Sequence, residues 1–328
     1  MVERKTEGIK LRGLESDSIS PGDEQYSMAF QYARLSFSDA QLYWGMTYPL
    51  YGPRLQLLRN GDQAPIVAIG ANEQGKPVGL ALAELLKGGE TAELLSVYTH
   101  AAYRRRGIAT AMLGLLEEWL AQRGCRGLRA IFERGRPMTN AIQGLLRKCQ
   151  FPSVRKRALI GRCSKAGIEK APWLDKYLLP SAFDLFLWKD LSEEEKGALK
   201  ERQKIESWFP EQLNPFQDEA FVEPLNSLGL RYKGEIVGWM ITHRTARDTI
   251  RYTAVFIRED LQGFGLAIPL LIESIKRQVG SDKDPVEKAT FIVFTEMQGM
   301  VQFVRRYMAP YIDELNDSVE TTRILCRS

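Results

Sequence analysis

Arg104, Arg105, Arg106, Gly107 and Ala109 stand within six consecutive positions, and together they suit the holding of a diphosphate. Three arginines supply charged donors, Gly107 lets the backbone approach an anion without a Cβ in the way, and Ala109 is nearly as small. An apolar, β-rich run over 94–99 precedes the cluster and an amphipathic stretch over 112–122 follows it. A strand therefore hands over to a helix at this point. Helix N-termini carry N–H groups without intrahelical partners and a partial positive charge. The expected cradle thus joins Arg104, Arg105 and Arg106 to the backbone of Gly107, Ile108, Ala109 and Thr110.

The elements that must position this loop read as follows. Residues 9–12 suggest a first strand, and 16–23 a polar loop with Pro21 and Gly22. From 26 to 58 the pattern reads as mostly helical and is rich in aromatic rings; they read as helix core, or, for Tyr43, Trp44 and Tyr48, as the lining of an acceptor pocket on a mobile segment. Residues 65–70 and 77–86 form a hairpin about a turn at 72–76, and a strand over 92–99 leads into the loop. Beyond the loop helix come a strand at 127–132, a helix at 139–149 and a strand at 157–163.

A polar connector with Gly167, Pro172 and Pro180 then marks a boundary, and the plan begins again. There is a strand at 183–188, a charged helix at 192–208, a hairpin at 228–242 about Lys233-Gly234-Glu235, and a strand at 251–256. The last leads into Gln262-Gly263-Phe264-Gly265-Leu266-Ala267, which stands at an offset of 262 − 104 = 158 residues. At that offset Val97 falls on Val255, Gly107 on Gly265, Leu113 on Leu271 and Pro152 on Pro310. The chain reads as a tandem repeat of one fold. Its divisions are 1–165, a linker at 166–180, and 181–328.

A length of 328 residues suits two domains, and 44% apolar with 26% charged residues suits buried cores rather than disorder. A net charge of +4 fits an anionic ligand but falls short of a nucleic-acid footprint. The basic run Arg155-Lys156-Arg157 lacks interleaved aromatics, so no nucleic-acid partner is expected. Cys125, Cys149, Cys163 and Cys326 make no Cys-x-x-Cys pair, and with His100 and His243 as the only histidines no metal site is expected. Both histidines read as surface or loop-anchoring residues. Reduced thiols and the lack of a signal-peptide pattern or long apolar run lead us to expect a cytoplasmic protein without membrane contact.

Arg-x-x-Gly-x-Ala between strand and helix resembles the acyl-CoA pyrophosphate loop of the GNAT superfamily of N-acetyltransferases, Gln/Arg-x-x-Gly-x-Gly/Ala. The second copy fits the same pattern. The resemblance implies an α/β (α+β) fold of two tandem GNAT-like domains, each a mixed, mostly antiparallel sheet flanked by helices. It implies acetyl-CoA as co-substrate and a primary amine as acceptor, a small molecule or a peptide. Glu93, eleven residues before Arg104, matches the family's catalytic glutamate. Val97 would supply the oxyanion donor, Tyr98 and Thr99 would lie along the pantetheine, and Asn140 would contact CoA. One departure is Leu146, where many members carry a proton-donating tyrosine; Tyr98 or Tyr103 would have to substitute. A second is Arg251 in the place of Glu93, which stays protonated and cannot act as a base. Chemistry is therefore expected in the first domain, with the second as scaffold. The alternatives are a non-catalytic acyl-CoA-binding module and transfer to a thiol or hydroxyl. The duplication would make one chain a pseudo-dimer, as a monomer or within a homodimer.

Overall fold

The computed structural model describes residues 30–281 and 286–325. The strand expected at 9–12, the loop at 16–23, Tyr26 and Cys326 lie outside the described residues.

The chain forms β1 (Gln31–Arg34), α1 (Phe37–Ala40), β2 (Ile66–Glu73), β3 (Lys76–Leu85), β4 (Thr91–Thr99), α2 (Ile108–Gln122), β5 (Gly127–Glu133), α3 (Thr139–Lys148) and β6 (Arg155–Ser164). It continues with α4 (Lys165–Ile168), β7 (Phe183–Leu187), α5 (Glu193–Glu206), β8 (Leu228–Tyr232), β9 (Glu235–Ala246), β10 (Thr249–Ile257), α6 (Ala267–Val279), β11 (Lys288–Phe294), α7 (Gln298–Phe303) and β12 (Glu314–Ile324). This is the expected α/β class and tandem plan. Among the described residues no helix is long and apolar enough to cross a membrane.

Local chemistry fixes the hairpins. Gln74 and Gly75 take φ of +52° and +81°, and Lys233 and Gly234 take +50° and +82°. Consecutive left-handed residues make the primed turns whose twist suits a two-residue hairpin. The second repeat then follows the first closely, with β4 and β10 separated by 158 residues at both ends. Helices α2 and α3 bury Met112, Leu116, Leu120 and Leu146 against one face of β2–β5, and α6 and α7 bury Leu270, Ile272 and Phe303 in the second half.

Two sequence expectations need correction. The described part, residues 30–58, is not mostly α-helical: β1 lies there, followed by a four-residue helix and two 3₁₀ segments, 41–46 and 52–63. Ser36 closes a capping box on Asp39, while Gly45, Pro49, Gly52 and Pro53 break any longer helix. The segment nonetheless covers the opposite face of the sheet, burying Tyr43, Leu55 and Leu58 on Leu80 and Leu82. The connector at 166–180 is also less polar than its composition suggests, because Ile168, Ala171, Trp173 and Leu174 are buried in the second core.

All twelve strands form one sheet in the order β1-β2-β3-β4-β5-β12-β6-β11-β10-β9-β8-β7. The last strand of each half therefore pairs within the other. β12 lies antiparallel to β5, from Ser318 opposite Glu133 to Ile324 opposite Gly127. β6 lies antiparallel to β11, from Lys288 opposite Ser164 to Phe294 opposite Ala158. The exchanged strands pair with each other at the centre. Where they meet, Arg162 donates two hydrogen bonds to Glu133, at 2.6 and 2.7 Å, and Asn316 donates a third at 2.8 Å.

Candidate active site

β4 and β5 run parallel and pair only from Thr91–Leu94 to Gly127–Ala130. Beyond that point β4 continues along β3 to Thr99 and β5 continues along β12 to Glu133, so a wedge opens between them. At its apex β4 bulges: Leu94 faces Ala83 and Ser96 faces Leu82, which leaves Leu95 without a cross-strand partner. A bulge bends the strand away from its neighbour and frees backbone groups. Val97 lies two positions beyond the bulged residue.

The loop expected to hold the diphosphate closes the wide end of the wedge. Arg105 and Gly107 both have left-handed backbone, φ +67° and +82°, and such alternation turns successive N–H groups into an anion-binding concavity. Ala111 makes the first intrahelical bond, to the Gly107 carbonyl at 3.0 Å, so the N–H groups of Ile108, Ala109 and Thr110 point out of the helix end. The three arginines are exposed, while the Ile108 side chain is core and can serve a ligand only through its backbone. Arg104 also ties the loop down, its Nε donating to the Thr99 carbonyl at 3.2 Å. Thr99 Oγ1 is buried without a hydrogen-bond partner, which fits a polar cofactor passing beside it. Asn140 is exposed in the first turn of α3, two positions after the N-cap residue Met138.

Glu93 stands before the bulge on the face covered by residues 37–63. Arg129 of β5 donates to its Oε2 at 2.6 Å; Oε1 has no hydrogen-bond partner among the described residues. Directly across the ladder lies Glu84, a carboxylate the sequence reading missed, ion-paired with Arg54. Opposed residues of an antiparallel pair share a face, so two carboxylates look toward the same space. Tyr51 covers them. Burial first, then the charge of Glu93, pushes its hydroxyl above the usual tyrosine range, and it remains a proton donor.

The other expected residues are placed as follows. Tyr98 stands opposite Leu80, two positions past Ser96 on the same face. Tyr103 is engaged elsewhere, donating to Glu73 at 2.7 Å, and Leu146 is core. Tyr43 is buried against Gly70 and lines no open space. Trp44 and Tyr48 are exposed, and Thr47 anchors their segment over the bulge through a 2.7 Å hydrogen bond to Ser96. Arg155 and Lys156 are ion-paired with Glu320 and Asp317.

The second half repeats the geometry with different chemistry. β10 and β11 pair only through Tyr252 and Phe291, and Thr253 is the bulged residue, at the same repeat position as Leu95. Gln262 Nε2 donates to the Ile257 carbonyl at 3.0 Å, matching the bond from Arg104 to Thr99. The resemblance ends there. Glu259 and Asp260 flank this loop, Arg258 is bound to Asp260 and Glu235, and Pro269 removes an N–H from the first turn of α6. The cleft between β10 and β11 is walled by apolar groups, including Met240, Ile275, Met300 and Val304. Within it Cys163 is pushed up to about 12 by burial and stays a thiol. His243, expected at the surface, is buried.

Residues 33–149 match the acetyltransferase (GNAT) family. No curated protein matches the chain. Among solved structures it is similar to a tandem GNAT protein from the clavulanic acid biosynthesis pathway, at 12% identity and a TM-score of 0.65 over 92% of this chain and 100% of that one. It is also similar to a GCN5-related N-acetyltransferase from Sphaerobacter thermophilus, at 15% identity and 0.57 over 90% and 96%. A third is the glucosamine N-acetyltransferase region of a fungal multi-domain β-N-acetylglucosaminidase, at 14% identity and 0.62, covering 93% of this chain and 39% of that one. Residues 33–149 thus match the acetyltransferase (GNAT) family, and the chain as a whole has the fold of a tandem GNAT protein.

Proposed function

We propose that this tandem GNAT-fold chain transfers an acetyl group from acetyl-CoA to a primary amine, with the chemistry in its first half. The observation that carries the reading is the alignment of three features on one strand: a wedge beside β4, a bulge at its apex, and a left-handed, arginine-bearing helix start at its wide end. An extended pantetheine fits the wedge, its amides meeting the strand edge as an added strand would. The diphosphate then rests on Arg104, Arg105 and the N–H groups of Ile108 to Thr110.

In that pose the thioester carbonyl lies at the bulge, where a backbone N–H near Val97 stabilises the oxyanion. The acceptor approaches from the face covered by residues 37–63, past Trp44 and Tyr48. Its ammonium meets Glu84 and Glu93, and Glu93 Oε1, directly or through a water, takes the proton that makes the amine nucleophilic. Attack forms the C–N bond and the C–S bond breaks. The thiolate leaves at modest cost because thiols ionise near pH 8.5, and Tyr98 or Tyr51 is placed to return a proton. A duplicated chain of this kind is a pseudo-dimer, and we infer no nucleic-acid partner.

Calorimetric titration with acetyl-CoA tests the assignment. Gly107→Trp and Arg104→Glu should abolish binding, whereas Gly265→Trp and Gln262→Glu should have weaker effects. Equal losses from both halves would refute the asymmetry.

A further inference from the structure

The second half holds a nucleophile, a base and an orienting group in sequence, the first of them lining the cleft. His243 is 2% exposed. Its Nε2 lies 2.9 Å from the carbonyl oxygen of Gln217. A carbonyl only accepts, so Nε2 carries the proton and Nδ1 presents its lone pair. Nδ1 lies 2.7 Å from Thr253 Oγ1, and the threonine hydroxyl therefore donates to the imidazole. Burial lowers the imidazole pKa and the charge of Arg251 adds to it; the Gln217 bond and the charge of Asp218 oppose this without reversing it. The ring is accordingly a neutral base at neutral pH. Arg251 Nε also donates to Thr253 Oγ1, at 3.3 Å, and the alternative acceptor for the hydroxyl, the Arg251 carbonyl, is at 3.3 Å. The shorter bond is the one to the base.

Thr253 is the bulged residue of β10 and lines the cleft. The strand edge beyond Tyr252 has no ladder partner on its β11 side, so backbone donors adjoin the hydroxyl. A nucleophile hydrogen-bonded to a base, a base held by a third group, and free N–H donors beside them are the parts of a covalent acyl-transfer centre. The first half has no counterpart, since its bulged residue is Leu95 and its cross-strand pair is Glu84 with Glu93.

We propose that Thr253 is an acyl-accepting nucleophile, activated by His243, that takes apolar acyl groups from esters or thioesters in the second cleft. Thr253 Oγ attacks the acyl carbon while its proton passes to His243 Nδ1. The tetrahedral oxyanion is met by N–H groups of the unpaired edge. The bond to the leaving oxygen or sulfur breaks, that atom takes the proton from His243, and an acyl-Thr253 ester remains for water or another nucleophile to discharge. Methionine and aliphatic walls suit the acyl chain. The acidic loop with its proline-interrupted helix start disfavours a diphosphate on the donor.

The centre is independent of Glu93, so the test uses the full chain carrying Glu93→Gln, without any amine. The probe is p-nitrophenyl octanoate, with p-nitrophenolate release followed by stopped flow and adducts by intact and peptide mass spectrometry. The expected result is a burst approaching one equivalent per chain and a single octanoyl group on the peptide containing Thr253. Thr253→Val, which keeps the shape, should abolish burst and adduct. Thr253→Ser should retain both, and His243→Gln should slow the burst by about 10²–10⁴-fold. Absence of a burst and adduct in the Thr253-containing chain would overturn the proposal. So would an unchanged burst or adduct in Thr253→Val.

Discussion

Glu93→Gln separates chemistry from structure because the two effects differ in size. The Glu93–Arg129 pair spans 2.6 Å, but its side chains are 24% and 32% exposed. Solvent screens such a pair, so its loss should cost about 0.5–1 kcal/mol, a shift of only a few degrees in melting temperature for a chain of this size. Loss of a general base costs about 10²–10⁴ in rate, or about 3–5 kcal/mol of barrier. The assay is thiol release from acetyl-CoA against a panel of primary amines, with acetyl-CoA affinity measured by calorimetry. We expect kcat to fall by that factor while affinity and melting temperature hold. Glu84→Gln is the internal control. If Glu84 only attracts the ammonium, KM for the amine rises and kcat is kept. A kcat within about twofold of the parent in Glu93→Gln, on an amine the parent acetylates, would refute the base assignment on that scale. The same loss in Glu84→Gln alone would move the role across the ladder.

Two predictions concern the exchanged strands. Burial pushes the Glu133 carboxyl up, but the hydrogen bonds from Arg162 and Asn316 outweigh it and hold the group below its usual value of 4.5. A depressed folded value stabilises the protein above that pH and is lost as pH falls through it. Glu133→Gln should therefore cost about 1–3 kcal/mol near neutrality and much less in acid, as read by urea unfolding at several pH values; an effect that grows on acidification would contradict the arrangement. Ending the chain after Asp313 removes β12 and with it one of the two partners of both β5 and β6. Loss of cooperative unfolding and of acetyl-CoA binding is expected, and a shortened chain that binds as the full chain does would show the exchange to be dispensable.

What was legible in the sequence is local. The loop at 104–110 and its echo at 262–267 depend on a glycine with left-handed φ at a fixed place after a strand, and Gly107 and Gly265 take φ of +82° and +69°. The hairpins depend on two-residue turns. What was not legible depends on partners chosen over distance. β6 and β12 are equivalent strands of the repeat, so composition does not say which of them lies against β5. The aromatic spacing of 26–58 resembled a helix because Tyr43 and Leu55 face one core, yet 3₁₀ turns broken by glycine and proline deliver them there. By sequence His243 reads as a surface or loop-anchoring residue, although two signals point to its neighbourhood. Thr253 stands 158 residues after Leu95, and pairing the strands at 228–242 and 251–256 as neighbours brings His243 opposite Arg251.

That cross-strand pair is where the two halves differ most in charge, and it underlies both proposals. In each half the residue two before the bulge meets a partner on the preceding strand, and the two share a face of the sheet. In the first half the pair is Glu93 with Glu84, each carboxylate held by an arginine outside the pair. That surface favours a cationic acceptor and a base that works on it. In the second half the pair is Arg251 with His243. An arginine beside the bulge repels an ammonium and cannot take its proton, while it favours a neutral imidazole and negative charge developing on Thr253 Oγ1 or a bound carbonyl. Under the two proposals, reversing the sign at one ladder position would disfavour amine acetylation in the second half and, in the same step, supply the electrostatics that a hydroxyl nucleophile requires.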